Sequence, residues 1–339
     1  MIRFALAQFR TQALSAFAAL LALAVLLAMT KSSYDTAVAG CAARGNCSSL
    51  TTRFLNSGDA LVPLIALVVI LIPAVIGIFW GAPLVAREIE TGTFRLAWTQ
   101  SVTRTRWMAV KLGVGALASM VVAAIFTLMV TWWFSPIDRV NMNQFSVFDQ
   151  RDIVPIGYAA FAFVFGVTAG VLIRRTVPAM ATTLVAFVGA RLAMTYWAGP
   201  HLFAAAVTSM ALRSANGFGL GPGPSVPTTL LVDNPTIPNA WVVSSQIVNA
   251  TGNPPAIEFL DRSCPAVVAP QTSGGSLGPA FQTAFQDCIS HLSASYHLAV
   301  TYQPASRYWA LQWDETSIFV VLALALAGFC LWWTRRRRS

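Results

Sequence analysis

With 56% hydrophobic and only 10% charged residues over 339 positions, this chain lies far from soluble domains, in which about a quarter of residues are charged. Its net charge of +9 does not call for nucleic acid, because the basic residues gather at the ends of long apolar runs, where they mark a membrane surface. A mean hydropathy of +0.64 agrees with a membrane protein.

Runs of roughly 20 apolar residues, long enough to cross a bilayer, cover Ala13 to Met29, Leu61 to Gly81, Met108 to Phe134, Ile153 to Ile173, Val177 to Trp197 and Thr316 to Trp333. Before the first, Ile2, Leu6 and Phe9 form one helical stripe, which predicts a short interfacial helix over residues 1–12. A cleaved signal peptide is the competing reading, but the run is long for one and Ala28-Met29-Thr30 is a poor cleavage site. Thr30 to Ala60 reads as a polar external loop holding Cys41 and Cys47. Pro63, Pro73, Gly77, Gly81 and Pro83 predict a kinked second span with an abrupt end.

A charged island follows, from Val85 to Trp107, with Arg87, Arg95, Arg104, Arg106 and, just beyond, Lys111. Lys/Arg excess near span ends marks the cytoplasmic side. Leu84, Val85, Ile89, Phe94, Leu96 and Trp98 are expected as apolar patches on short helical pieces that rest on the membrane boundary or on another protein, with Gly92 as the break between them. Ser101 or Thr103 would cap the next helix. On residue types alone, a solvated connecting loop is an equal alternative.

The third span closes on Thr131-Trp132-Trp133-Phe134, an interfacial aromatic belt. Ser135 to Asp152 is a short external loop, and Gly166-Val-Thr-Ala-Gly170 in the fourth span has the small-xxx-small spacing that lets helices approach. Arg174-Arg175-Thr176 forms a tight cytoplasmic turn, with Pro178 in the first turn of the fifth span. Arg191 stands inside that span, facing either a cavity or partner, or the outer headgroups. Gly199 to Asp314 is too polar to span. It reads as a small α+β domain, with an interfacial or re-entrant helix over His201 to Arg213, strands at Trp241 to Val248 and Leu298 to Tyr302, and a helix carrying Phe281, Phe285, Cys288 and Leu292 on one stripe.

An even number of spans puts both termini on one side. Basic residues divide 13 to 8 in favour of the side holding both termini, the island and the Arg174 turn, which is therefore cytoplasmic. Cys41, Cys47, Cys264 and Cys288 then lie outside, where four cysteines suit disulfides of three possible connectivities; Cys41–Cys47 and Cys264–Cys288 are preferred because each pair lies within one loop. Cys330 falls in the last span as a small buried residue.

No phosphate-binding loop is present: Lys31 and Lys111 are the only lysines, and neither follows a glycine. No Asp or Glu falls within the six runs, which argues against a proton- or sodium-driven relay. His201, His291 and His297 do not cluster with carboxylates at ligand spacing, so no metal is expected, and no catalytic motif is recognised.

The run Arg87-Glu88-Ile89-Glu90-Thr91-Gly92-Thr93, continued by Phe94-Arg95-Leu96-Ala97-Trp98-Thr99-Gln100-Ser101, resembles the segment after the second span in permease subunits of bacterial ABC-2-type exporters. Tyr302-Gln303-Pro304-Ala305-Ser306-Arg307-Tyr308-Trp309 is similar to the approach to their last span, especially in actinobacterial members. The resemblance implies an all-α polytopic fold of six transmembrane helices with cytoplasmic termini, interrupted by a small α+β external domain. Its divisions would be an interfacial helix at 1–12, spans one to five over 13–198 with a coupling segment at 84–107, an external domain at 199–314, and the last span with a basic tail at 315–339. Arg87, Glu88, Glu90, Gly92, Thr93, Phe94, Arg95 and Trp98 would contact a separate ATPase subunit that binds ATP and Mg, this chain holding no cofactor itself. A second copy of the chain, a multi-pass location in the bacterial plasma membrane and a hydrophobic or amphipathic cargo are also implied. The alternative is a non-transporting sensor or assembly protein whose external domain binds a ligand.

Overall fold

The fold is that of a computed structural model, which describes residues 2–44, 61–92, 103–141, 144–212, 218–221, 229–232, 234–235, 237–255 and 279–336. The chain divides into two compact units, one made of residues 1–202 and 308–339 and the other of residues 203–307. The boundary of the second unit is thus narrower than the 199–314 expected.

Among the described residues of the first unit, six helices are long and apolar enough to cross a membrane. The first, α1, is one helix over Ile2–Arg44, so the separate interfacial helix expected at 1–12 and the loop expected from Thr30 are both corrected. In the described part of the polar stretch, several side chains find partners on the helix itself. The Thr30 and Thr36 hydroxyls donate to Leu26 O at 3.0 Å and Ser32 O at 2.9 Å, and Lys31 pairs with Asp35 one turn on at 3.5 Å. At about 1.5 Å per residue its 43 residues extend roughly 65 Å, twice a bilayer core.

The second span consists of α2 (Leu61–Val75), a π-helical turn (Ile76–Gly81) and α3 (Ala82–Glu90). Pro83 has no N–H to offer, and the widened turn ends just before it, with the Ala82 N–H reaching back to Gly77 O. The helix therefore does not end at Gly81 but runs on into the charged island. Helix α4 (Arg104–Asn141) likewise outruns its expected end, passing through Pro136. Proline deprives the carbonyl four residues earlier, Trp132 O, of its donor, and the Ser135 hydroxyl supplies one at 2.8 Å.

Helix α5 (Val154–Ile173) is the hub, with 78% of its most apolar stretch buried against 11% for the first span and 17% for the last. Its glycines explain how it reaches the centre. A Cβ on Gly170 would lie 2.7 Å from Ala82 O, and one on Gly77 would lie 2.7 Å from Ala162 O, so the α5 backbone lies directly on the π turn and the start of α3. Arg174, at left-handed φ 60°, ends α5 by donating its N–H to Gly170 O, and α6 (Thr176–Ala193) starts at once, closing in another π turn at Met194–Ala198.

The second unit holds the antiparallel sheet β1-β5-β4, made of β1 (Ala206–Met210), β4 (Trp241–Asn249) and β5 (Tyr296–Gln303), with a hairpin of β2 (Phe218–Gly221) and β3 (Thr229–Val232). Helix α7 (Pro279–Leu292) places Cys288, Ile289 and Leu292 with Leu298 and Val300 of β5 in its core. The re-entrant helix expected over His201 to Arg213 is corrected: apart from short 3-10 turns, that stretch contains strand β1, which alternates half-buried and exposed side chains along Ala206–Met210. The last helix, α8 (Tyr308–Arg336), belongs to the first unit and starts eight residues before the expected Thr316.

Candidate functional site

The charged island is built on the end of the second span. Leu84 and Val85 are not surface patches, as the sequence suggests, but are buried with Trp107, Met108 and Leu112 of α4 and with Val167 and Val171 of α5. Burying that face turns Glu88 toward α4, where its carboxylate pairs with Lys111. Lys111 is only 3% exposed and lies 4.5 Å from the centroid of the Trp107 ring, so a buried ammonium is matched by a carboxylate and an aromatic face. Glu90 reaches the other way, its Oε2 accepting the Thr176 N–H at 3.2 Å and the Thr176 hydroxyl at 2.6 Å. A carboxylate from the second span thereby caps the N-terminus of the fifth. Both acids expected to face a partner subunit are engaged within the chain, while Arg87 is exposed.

Helix α3 stops at Thr91, whose hydroxyl and N–H both return to Arg87 O, at 2.8 and 3.0 Å. Gly92 follows at φ 72°, the left-handed turn expected of it. Thr93, Phe94, Arg95 and Trp98 lie outside the described residues. Where the chain is described again, Thr103 caps α4 through its Oγ1 and the Arg106 N–H at 3.4 Å, as one of the two caps expected.

A second polar cluster occupies the opposite end of the bundle. Arg191 of α6 is 7% exposed, and its Nη2 donates to Asp149 Oδ2 at 2.6 Å. Its guanidinium also stacks 4.4 Å from the Tyr158 ring centroid. Arg191 is thus buried within the bundle and held by Asp149 of the same chain. Tyr158 in turn donates to Glu315, a 5% exposed acid in α8. The expectation that no acid lies in a span is therefore corrected by Glu315, as well as by Glu88 and Glu90, which fall in the candidate span Leu67–Glu90. Beside it, Gln312 accepts from the Val154 N–H at 3.2 Å and donates to Phe148 O at 2.7 Å, capping the hub helix. Arg151 donates to both oxygens of Asp138, at 2.9 and 2.7 Å, and to Tyr308 OH at 3.2 Å.

Asp149, Tyr158, Arg151, Gln312 and Glu315 were missed by the sequence reading. A signal for the last two exists: Tyr308, Gln312, Glu315 and Phe319 recur at i, i+4, i+7 and i+11, one helical stripe crossing the expected start of the span. All four are buried.

Among the described residues no group of His, Cys, Asp and Glu is placed to hold a metal. Cys288 is buried and disulfide-bonded; Cys47 and Cys264 lie outside the described residues. Cys330 is a free, buried thiol beside the Thr168 hydroxyl at 3.2 Å.

Among known protein families, the one described as ABC-2 membrane transporter related matches residues 12–198. No curated protein and no solved structure matches the chain.

Proposed function

Because this chain belongs to the ABC-2 membrane transporter related family, we propose that it is the membrane-spanning permease subunit of an ATP-driven exporter in the bacterial plasma membrane. Membership of that family implies an ABC ATPase as partner in general, and ATP with Mg would be bound and hydrolysed there. The termini, the Gly92 turn and the Arg174 turn are cytoplasmic in this reading, and the unit of residues 203–307 is external. Six spans are half of a twelve-span assembly, so two copies of the chain act with two ATPases. The cargo is a hydrophobic or amphipathic compound.

The observation that carries the mechanism is the pair of ties just before Gly92. Glu88 on Lys111 and Glu90 on Thr176 bind the end of the second span to the third and fifth. Force applied by an ATPase to the segment beyond is then delivered to three spans together. In this reading Arg87, Thr93, Phe94, Arg95 and Trp98 make the contact, Gly92 sets its direction, and Glu88 and Glu90 make the coupling segment rigid, so that one contact persists through both states of the cycle.

The test is Gly92→Val. Among the described residues a Cβ at Gly92 meets nothing within 4 Å, and valine there is a β-branched residue at left-handed φ. Tagged chain purified from its own host should retain an ABC ATPase, and the variant should insert normally yet retain less of it or hydrolyse ATP without export. Wild-type chain that retains no ATPase would overturn the proposal.

A further inference from the structure

An apolar groove with a cavity volume of about 500 Å³ opens between α5, α6 and α8, lined by Phe165, Ala169, Leu172, Thr182, Leu326 and Phe329 among others. Its volume is in the range of small-molecule sites. Its walls offer carbon only. The Thr182 hydroxyl is spent on Pro178 O at 2.8 Å, and that of Thr168, also on the wall, on Val164 O at 2.8 Å. From Phe165 to Ile173 the groove follows about 12 Å of helix, close to the roughly 15 Å of hydrocarbon in one leaflet.

Its mouth is marked on two sides. On α5 the lining ends at Ile173, next to Arg174 and Arg175 of the exposed turn. On α8 it ends at Phe329, followed by Trp332, Trp333 and the exposed Arg335 and Arg336, with the Arg336 guanidinium 4.7 Å from the Trp332 ring centroid. Tryptophan and arginine at adjacent turns identify headgroup level. Arg174, Arg335 and Arg336 have no ion-pair partner among the described residues, whereas Glu90 offsets part of the charge of Arg175.

We propose that this groove is a binding site for one resident phospholipid with an anionic headgroup. An acyl chain fills the carbon-walled groove, and the headgroup phosphate is met by Arg174 and the Arg335-Arg336 pair, which have no other ion-pair partner among the described residues. The apolar walls select hydrocarbon and the arginines select the headgroup, so neither a neutral lipid nor a soluble anion satisfies both. The site does not depend on the exporter reading, since it requires only that α5, α6 and α8 lie in a bilayer.

The test is native mass spectrometry of detergent-purified full-length chain titrated with phosphatidylglycerol or phosphatidylcholine. Wild type should hold one phosphatidylglycerol on the order of a hundredfold more tightly than phosphatidylcholine, each of the three arginines contributing about a fivefold factor near an anionic lipid surface. Two variants separate the halves of the site. Arg174→Gln with Arg335→Gln and Arg336→Gln should abolish the preference, and Thr182→Phe, an exposed position that leaves every charge in place, should displace the lipid by filling the groove. Equal binding of the two lipids by wild type would overturn the proposal. So would loss of the preference in the arginine variant with full retention in Thr182→Phe, the behaviour of a charged collar without a groove.

Discussion

Replacing Gly166 by alanine tests the packing that organises the bundle. The added Cβ would lie 2.8 Å from Ala82 N and 3.1 Å from Gly81 C, and closer still to Gly77 O, all of them backbone atoms of the π turn and its end. No rotamer change can relieve the clash, so the two backbones must part by at least the 0.6 Å that separates 2.8 Å from ordinary contact at 3.4 Å. Overpacking of this kind costs about 1–3 kcal/mol, and at a few degrees per kcal/mol the apparent Tm should fall by roughly 3–10 °C. Gly189→Ala is the internal control. Among the described residues its Cβ meets nothing within 4 Å, and alanine is the better helix former by up to about 1 kcal/mol, so its Tm should hold or rise. Thermal challenge of the detergent-solubilised chain, followed by size-exclusion chromatography of the surviving fraction, measures both. Equal Tm values for Gly166→Ala and wild type would refute the close approach of α5 to the second span.

Lys111→Met leaves the Glu88 carboxylate without its cation and should destabilise by about 3 kcal/mol, whereas adding Glu88→Gln should restore most of the loss; the same thermal challenge decides, and an equally unstable double variant would remove the pair as the cause. Arg191→Met should likewise be rescued in part by Asp149→Asn, with a coupling of about 1–3 kcal/mol in a double-mutant cycle; additive effects would show that the 2.6 Å contact carries no energy. For the second unit, Cys288 should pair with Cys264, closing a loop of about 25 residues that contributes on the order of 3 kcal/mol. Non-reduced peptide mapping that finds Cys288 joined to any other cysteine, or free, would exclude that pairing.

The six candidate spans found among the described residues were legible in composition and run length alone, because a bilayer imposes one requirement, about 20 apolar residues, that every span must meet by itself. The Gly92 turn and the Thr103 cap were legible for a similar reason: each is a local backbone matter settled within four residues. Span ends were not. Polar residues from Thr30 to Arg44 and from Val85 to Glu90 look like loops, yet Thr30, Thr36 and Lys31 find partners on their own helix and Glu88 and Glu90 on the third and fifth spans, and the helix continues where hydropathy stops. The direction in which each charge faces was equally hidden. Arg87 and Lys111 are alike in sequence, basic residues at the two ends of the same island, but one is exposed and the other buried on Glu88, and only the packing of Leu84 and Val85 against α4 and α5 separates them. The sequence by itself thus determined that this chain crosses a membrane and roughly where. Tertiary structure alone decided which of its few charges tie the spans together, because pairing across 23 residues, from Glu88 to Lys111, or 86, from Glu90 to Thr176, depends on which helix faces lie side by side, and no local pattern records that.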